Sequence, residues 1–123
     1  MTGSSALLPL IEKYFEKDPI TAARHLETLE ESEVLQIIQT VPAPLAARIA
    51  EYVPPAIAAI LLPQLPKSMA KAIIDKLKTQ RATTILLDMP PDTRQNFIEF
   101  LSDKKKHQIQ DMLSFPERYD VYG

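Results

Sequence analysis

The sequence has no cysteine and no tryptophan, and its two glycines, Gly3 and Gly123, lie at the ends. Without cysteine there is no disulfide framework, no thiolate zinc site and no cysteine nucleophile, and a reducing compartment is the expectation. The lack of glycine between those ends excludes a phosphate-cradling loop, a dinucleotide-binding turn and a nucleophile elbow, each of which needs glycine where the backbone bends sharply or meets a ligand. Long apolar runs are missing too. The longest, Ala56 to Leu62, stops at Pro63, far short of the ~20 residues that cross a bilayer, so no direct membrane insertion is expected. The start, Met1-Thr2-Gly3-Ser4-Ser5, has no basic flank, and Ala6-Leu7-Leu8-Pro9-Leu10 is short and proline-broken. Both features argue against a signal peptide and for a cytosolic location. Nor does one sign of charge dominate: 14 Lys and Arg face 16 Asp and Glu, for a net charge of −2. Residues 1–62 carry four basic against eight acidic side chains, and residues 63–123 carry ten against eight. So mild a basic excess, with few aromatics to stack on bases, predicts no nucleic-acid partner.

What is present is a repeat. The chain of 123 residues is 46% hydrophobic and 24% charged, the composition of one globular domain. Its prolines are numerous but regular, with Pro42, Pro54, Pro66 and Pro90 on a twelve-residue period. Leu29, Val41, Val53, Leu65, Leu77, Met89, Leu101 and Leu113 follow the same period, and four positions before each stand His25, Ile37, Ile49, Leu61, Ile73, Ile85, Phe97 and Ile109. The apolar positions of the unit are 5, 8, 9 and 12, the i, i+3, i+4, i+7 stripe of a helix face. One continuous helix is excluded, because interior proline costs about 3 kcal/mol. Proline at a helix start is tolerated, since the N–H it lacks would have had no partner. Asp18-Pro19, Pro54-Pro55, Pro90-Pro91 and Ser102-Asp103 are the expected cap and first-turn pairs.

The expectation is therefore all-α: a solenoid of about nine short helices. Residues 1–17 supply an N-terminal helix with Leu7, Leu8, Ile11, Tyr14 and Phe15 on one side. Residues 18–113 supply eight twelve-residue repeats. Helices this short are marginal alone and must stack, here with successive helices antiparallel-like and positions 8 and 12 in one core. Small residues at position 5, mostly Ala, give way to Arg94 and Lys106, and Gln110 enters position 9, so the last units are expected to cap the array or meet a partner.

Groups that carry chemistry are sparse. His25 sits at a core position and is read as a partly buried histidine with a hydrogen-bond partner, and His107 follows Lys104-Lys105-Lys106 in a solvated turn. Neither has a second ligand at metal-site spacing, and the serines are explained by capping. Carboxylates cluster twice, as Glu27, Glu30, Glu31 and Glu33, and as Asp88, Asp92, Glu99 and Asp103. A hard cation such as Mg²⁺ is held through one or two carboxylates and keeps several waters, so such clusters can bind without a sequence signature. Enzyme activity is not expected.

Units of the form Leu-Pro-Pro-x-x-x-Ala-x-x-Leu-Leu resemble the N-terminal cytosolic domain of MgtE-type magnesium transporters. Val53-Pro54-Pro55-Ala56-Ile57-Ala58-Ala59-Ile60-Leu61-Leu62 and Met89-Pro90-Pro91-Asp92 carry the likeness. The resemblance implies a right-handed superhelix and a regulatory role in which Mg²⁺ bridges acidic residues of this domain and a downstream CBS pair. Residues 114–123, beginning with Ser114-Phe115-Pro116-Glu117, resemble the start of the linker to that pair. The implied partners are the CBS pair and a transmembrane domain, with room for a homodimer in the full-length protein, at the cytosolic face of the inner membrane. Asp88, Asp92, Glu99 and Asp103 are the candidate Mg²⁺ ligands, chosen by clustering. Two alternatives stand beside this reading. One is a CBS protein without a transport domain. The other is a protein–protein scaffold of the flagellar motor switch type, whose Glu-His-Pro-Gln signature is absent here.

Overall fold

The computed structural model describes residues 2–114, with side chains described from Leu10 onward. The linker residues 115–123 and the side chains of Leu7 and Leu8 thus lie outside the described residues. Nine α-helices and no strand form the described chain: α1 (Thr2–Lys17), α2 (Pro19–Glu27), α3 (Glu31–Thr40), α4 (Ala43–Tyr52), α5 (Pro55–Leu61), α6 (Lys67–Lys76), α7 (Thr79–Leu87), α8 (Pro91–Phe100) and α9 (Asp103–Ser114). A 3-10 turn, Leu62–Gln64, extends α5. Each helix from α2 onward occupies one twelve-residue unit.

The expected starts are all in place. The Asp18 carboxylate accepts from the Thr21 N–H at 3.2 Å, Pro55 and Pro91 open α5 and α8, and the Ser102 hydroxyl accepts from the Lys105 N–H at 3.4 Å. The stops follow from the same residues. A residue before proline is driven out of the helical region by the ring, and Val41 and Val53, each followed by proline, are extended with ψ 159° and 158°. Pro42 and Pro54 then continue extended at ψ 154° and 140°. Two-residue extended links of this kind also stand at Leu65-Pro66 and Leu77-Lys78, whereas α2 and α7 first add a residue in the helical region, Thr28 and Asp88.

The most extensive packing does not join successive helices but helices two units apart, α4 with α6, α5 with α7, α7 with α9 and α2 with α4, with α1 on α2 the exception. In these pairs the apolar face of one helix is covered by the helix after next. The single continuous core is nonetheless as expected. Ile49, Leu61, Ile73 and Ile85, all at position 8, are at most 1% exposed, each burial stabilising the array by about 1.5–3 kcal/mol. Position 5 is buried from Ala22 through Ala82, because only a small or compact side chain fits where helices approach closely.

Candidate functional site

The four candidate metal ligands lie along α7, α8 and α9, and all are exposed. Asp88 caps the C-terminus of α7, its N–H bonded to the Ile85 carbonyl. Asp92 and Asp103 occupy the first turns of α8 and α9, where a negative charge is favoured by the helix dipole. Glu99 lies near the end of α8. Among the described residues, no three acidic or histidine side chains are grouped to hold a metal ion. The donors are of the right chemistry for a hard cation, and Mg²⁺ asks for only one or two carboxylates with its waters. The second acidic cluster is partly committed to structure. Glu30 and Glu33 form a capping box at the start of α3, and Glu31 accepts from Gln64 Nε2 at 2.9 Å.

The basic residues are organised in a way the repeat did not announce. Arg48 Nη2 donates to the Phe15 carbonyl near the end of α1 at 2.9 Å. Arg81 Nε and Nη2 donate to the Ala50 carbonyl of α4 at 3.2 and 2.9 Å, and Nη2 also donates to the Val53 carbonyl. Lys105 Nζ donates to the Leu77 carbonyl after α6 at 2.8 Å. In each case a cation reaches a helix C-terminus three units back, where carbonyls lack partners and the dipole is negative. Partial burial holds the Arg81 guanidinium below its ordinary pKa, opposed by the nearby charge of Glu51. Arg94 serves its own neighbour, bonding the Leu86, Leu87 and Met89 carbonyls at 3.1, 3.4 and 3.2 Å. Its intrusion at position 5 is thereby explained: it caps α7. The signal in the sequence was a doubled period, since Arg81 and Lys105 share position 4 and stand 24 residues apart.

His25 is exposed, not partly buried. It does have the expected partner: Tyr14 Oη lies 3.1 Å from its Nδ1, with the two rings edge to face. Leu29, at a position buried in six other units, is 38% exposed. Two open apolar grooves meet there. One, of about 560 Å³, runs between Ile11, Tyr14, His25, Leu29 and Ile37. The other, of about 120 Å³, lies between α2, α3 and α5 and is lined by Leu26, Leu29, Val34, Ile57, Ile60 and Leu61, with Glu27 and Glu31 at its margin. No described helix is long and apolar enough to cross a membrane.

Comparison with known proteins adds one finding. The family model described as MgtE intracellular N domain matches residues 17–118, from the end of α1 through the whole run of repeats. No curated protein and no solved structure matches the chain.

Proposed function

The chain belongs to the MgtE intracellular N domain family, and from that premise we propose that it is the regulatory domain of a magnesium transporter, sensing Mg²⁺ where its acidic surface meets a downstream CBS pair. The observation that carries this reading is the arrangement of the carboxylates. Asp88, Asp92, Glu99 and Asp103 are exposed on consecutive units, while no three acidic or histidine groups converge among the described residues. An ion held there draws further oxygens from a second surface, and so stabilises the docked state alone; this is a population shift with Mg²⁺ as the differential ligand. Residues 114–123 are the start of the connection to the CBS pair, beyond which the transmembrane domain follows, and a homodimer of the full-length protein is the assembly in which the module works. The protein then sits at the cytosolic face of the inner membrane and catalyses no reaction of its own.

Calorimetry and small-angle scattering test this with Mg²⁺ on two proteins, this chain and the same chain continued into a CBS pair. This chain alone is expected to bind weakly, because Mg²⁺ gives up its waters reluctantly to separated, solvated carboxylates, and to gain little thermal stability at millimolar Mg²⁺. The longer protein is expected to bind more tightly and become more compact, and neutralising Asp88, Asp92, Glu99 and Asp103 to remove both effects. Tight saturable binding by the chain alone contradicts the shared-interface reading. Indifference of both proteins favours the scaffold.

A further inference from the structure

We propose that the groove between α2, α3 and α5 docks a basic amphipathic helix of a partner polypeptide, independently of the carboxylates on α7 to α9. The groove holds about 120 Å³ between Leu26, Leu29, Val34, Ile57, Ile60 and Leu61, room for a single large apolar side chain. Ile60 is 51% exposed and occupies position 7, where the other units place Arg24, Gln36, Arg48, Ala72, Thr84, Asn96 and Gln108. A large apolar residue breaks that pattern only here, and it does so beside the exposed Leu29.

The groove is preformed. Gln64 Nε2 donates both to Glu31 on α3, at 2.9 Å, and to the Ile60 carbonyl at 3.0 Å, tying the turn after α5 to the start of α3. The capping box of Glu30 and Glu33 fixes that start. Apolar walls with a rigid acidic margin call for an occupant with an apolar stripe flanked by Lys or Arg, the helix-in-groove mode, with the charges steering encounter.

A second copy of the chain fits poorly. An isologous contact through this face would set Glu27, Glu30, Glu31 and Glu33 against their own equivalents. The lysine-rich α9 cannot enter either, because its apolar residues Ile109 and Met112 are already buried.

The test is fluorescence anisotropy at 150 mM NaCl with EDTA, conditions that separate it from the Mg²⁺ reading. The probe is a labelled helical peptide of leucine and lysine with its leucines at i, i+3, i+4 and i+7. Two comparison peptides carry glutamate for lysine, or the same residues scrambled to destroy the stripe. The leucine–lysine helix is expected to bind, and each comparison peptide to bind at least ~10-fold more weakly. Ile60→Ser and the Glu27→Gln, Glu31→Gln pair are each expected to weaken binding ~10-fold with the helical circular dichroism unchanged, while Leu87→Ser, at an exposed leucine on α7, leaves it alone. Failure to bind, equal binding of the scrambled peptide, or equal loss in the Leu87→Ser protein overturns the proposal. So does sedimentation showing a dimer that Ile60→Ser dissociates, which assigns the groove to a second copy.

Discussion

The first two repeats and the middle four share one apolar pattern, broken only by His25 at position 8 of the first, yet they are buried to different degrees. Ile49, Leu61, Ile73 and Ile85 are sealed, whereas Ile37 is half-buried and Leu29 exposed. In a solenoid each unit is buried by its stacked neighbours, so the same residue type is sealed where that packing is complete and open where it is not. The two ends meet this problem differently. At the C-terminal end the sequence turns polar, with Arg94, Lys106 and Gln110 at positions that are apolar or small elsewhere, and Arg94 closes α7 by bonding its carbonyls. At the N-terminal end the apolar pattern persists and the two grooves stay open. The C-terminal half is not sealed throughout, for a groove of about 260 Å³ lies between Pro63, Leu65, Lys67, Phe97 and Phe100.

The comparison is most sharply tested by paired truncations. Leu61→Ala should destabilise the protein by about 2–5 kcal/mol, the range for emptying a buried leucine site, whereas Leu29→Ala should cost less than about 1 kcal/mol. Equal losses in urea unfolding would show that both regions are packed alike. Next in size is Arg81→Met, which keeps much of the apolar stem but strips the Ala50 and Val53 carbonyls of their donor. A loss of about 2–3 kcal/mol is expected, and less for Arg48→Met, whose target is the single Phe15 carbonyl of the end helix.

A third contrast sets the basic half of the chain against the acidic half. Arg81, Arg94 and Lys105 bond helix carbonyls, so part of the already mild basic excess of residues 63–123 serves the fold. No binding to duplex DNA at micromolar protein and physiological salt is expected. Binding that falls with a log–log salt slope near −0.9 per phosphate and is abolished by neutralising Lys104, Lys105 and Lys106 would overturn this.

The smallest effect concerns pH at the open end. The Asp18 carboxyl is held below its ordinary value of 3.8, chiefly by its hydrogen bonds from Thr21 and further by the charge of Arg24. A carboxyl depressed in the folded state stabilises it above the unfolded pKa, and that contribution disappears as pH falls from about 3.8 through the lower folded value. Asp18→Asn keeps a capping oxygen but cannot titrate, so its melting temperature should fall less steeply than the parent's below pH 4. Parallel curves would mean that the charge of Asp18 contributes nothing.

Much of the fold was legible because its determinants are local. Helix starts at Asp18, Pro54, Pro90 and Ser102, extended links before proline, and alanine at close approaches all follow from the preferences of one or two residues. The pairing of helices two units apart was not, since it depends on the angle that each link imposes and no single residue encodes an angle. The cation caps escaped for a related reason: Arg81 meets the carbonyls of Ala50 and Val53, about thirty residues away, and looks like a surface charge until the superhelix closes. The candidate metal residues were legible as a cluster in sequence but not as a geometry, because each is exposed and no three acidic or histidine side chains converge among the described residues.

Native-state amide hydrogen exchange resolved by helix tests the central contrast most directly. The amides of α4 to α7 are expected to exchange only with global unfolding and to share one steep urea dependence. Those of α1 to α3 are predicted to exchange earlier, through local opening with little urea dependence. Uniform protection from α2 to α7 would contradict it, because the N-terminal units would then be as closed as the middle of the array.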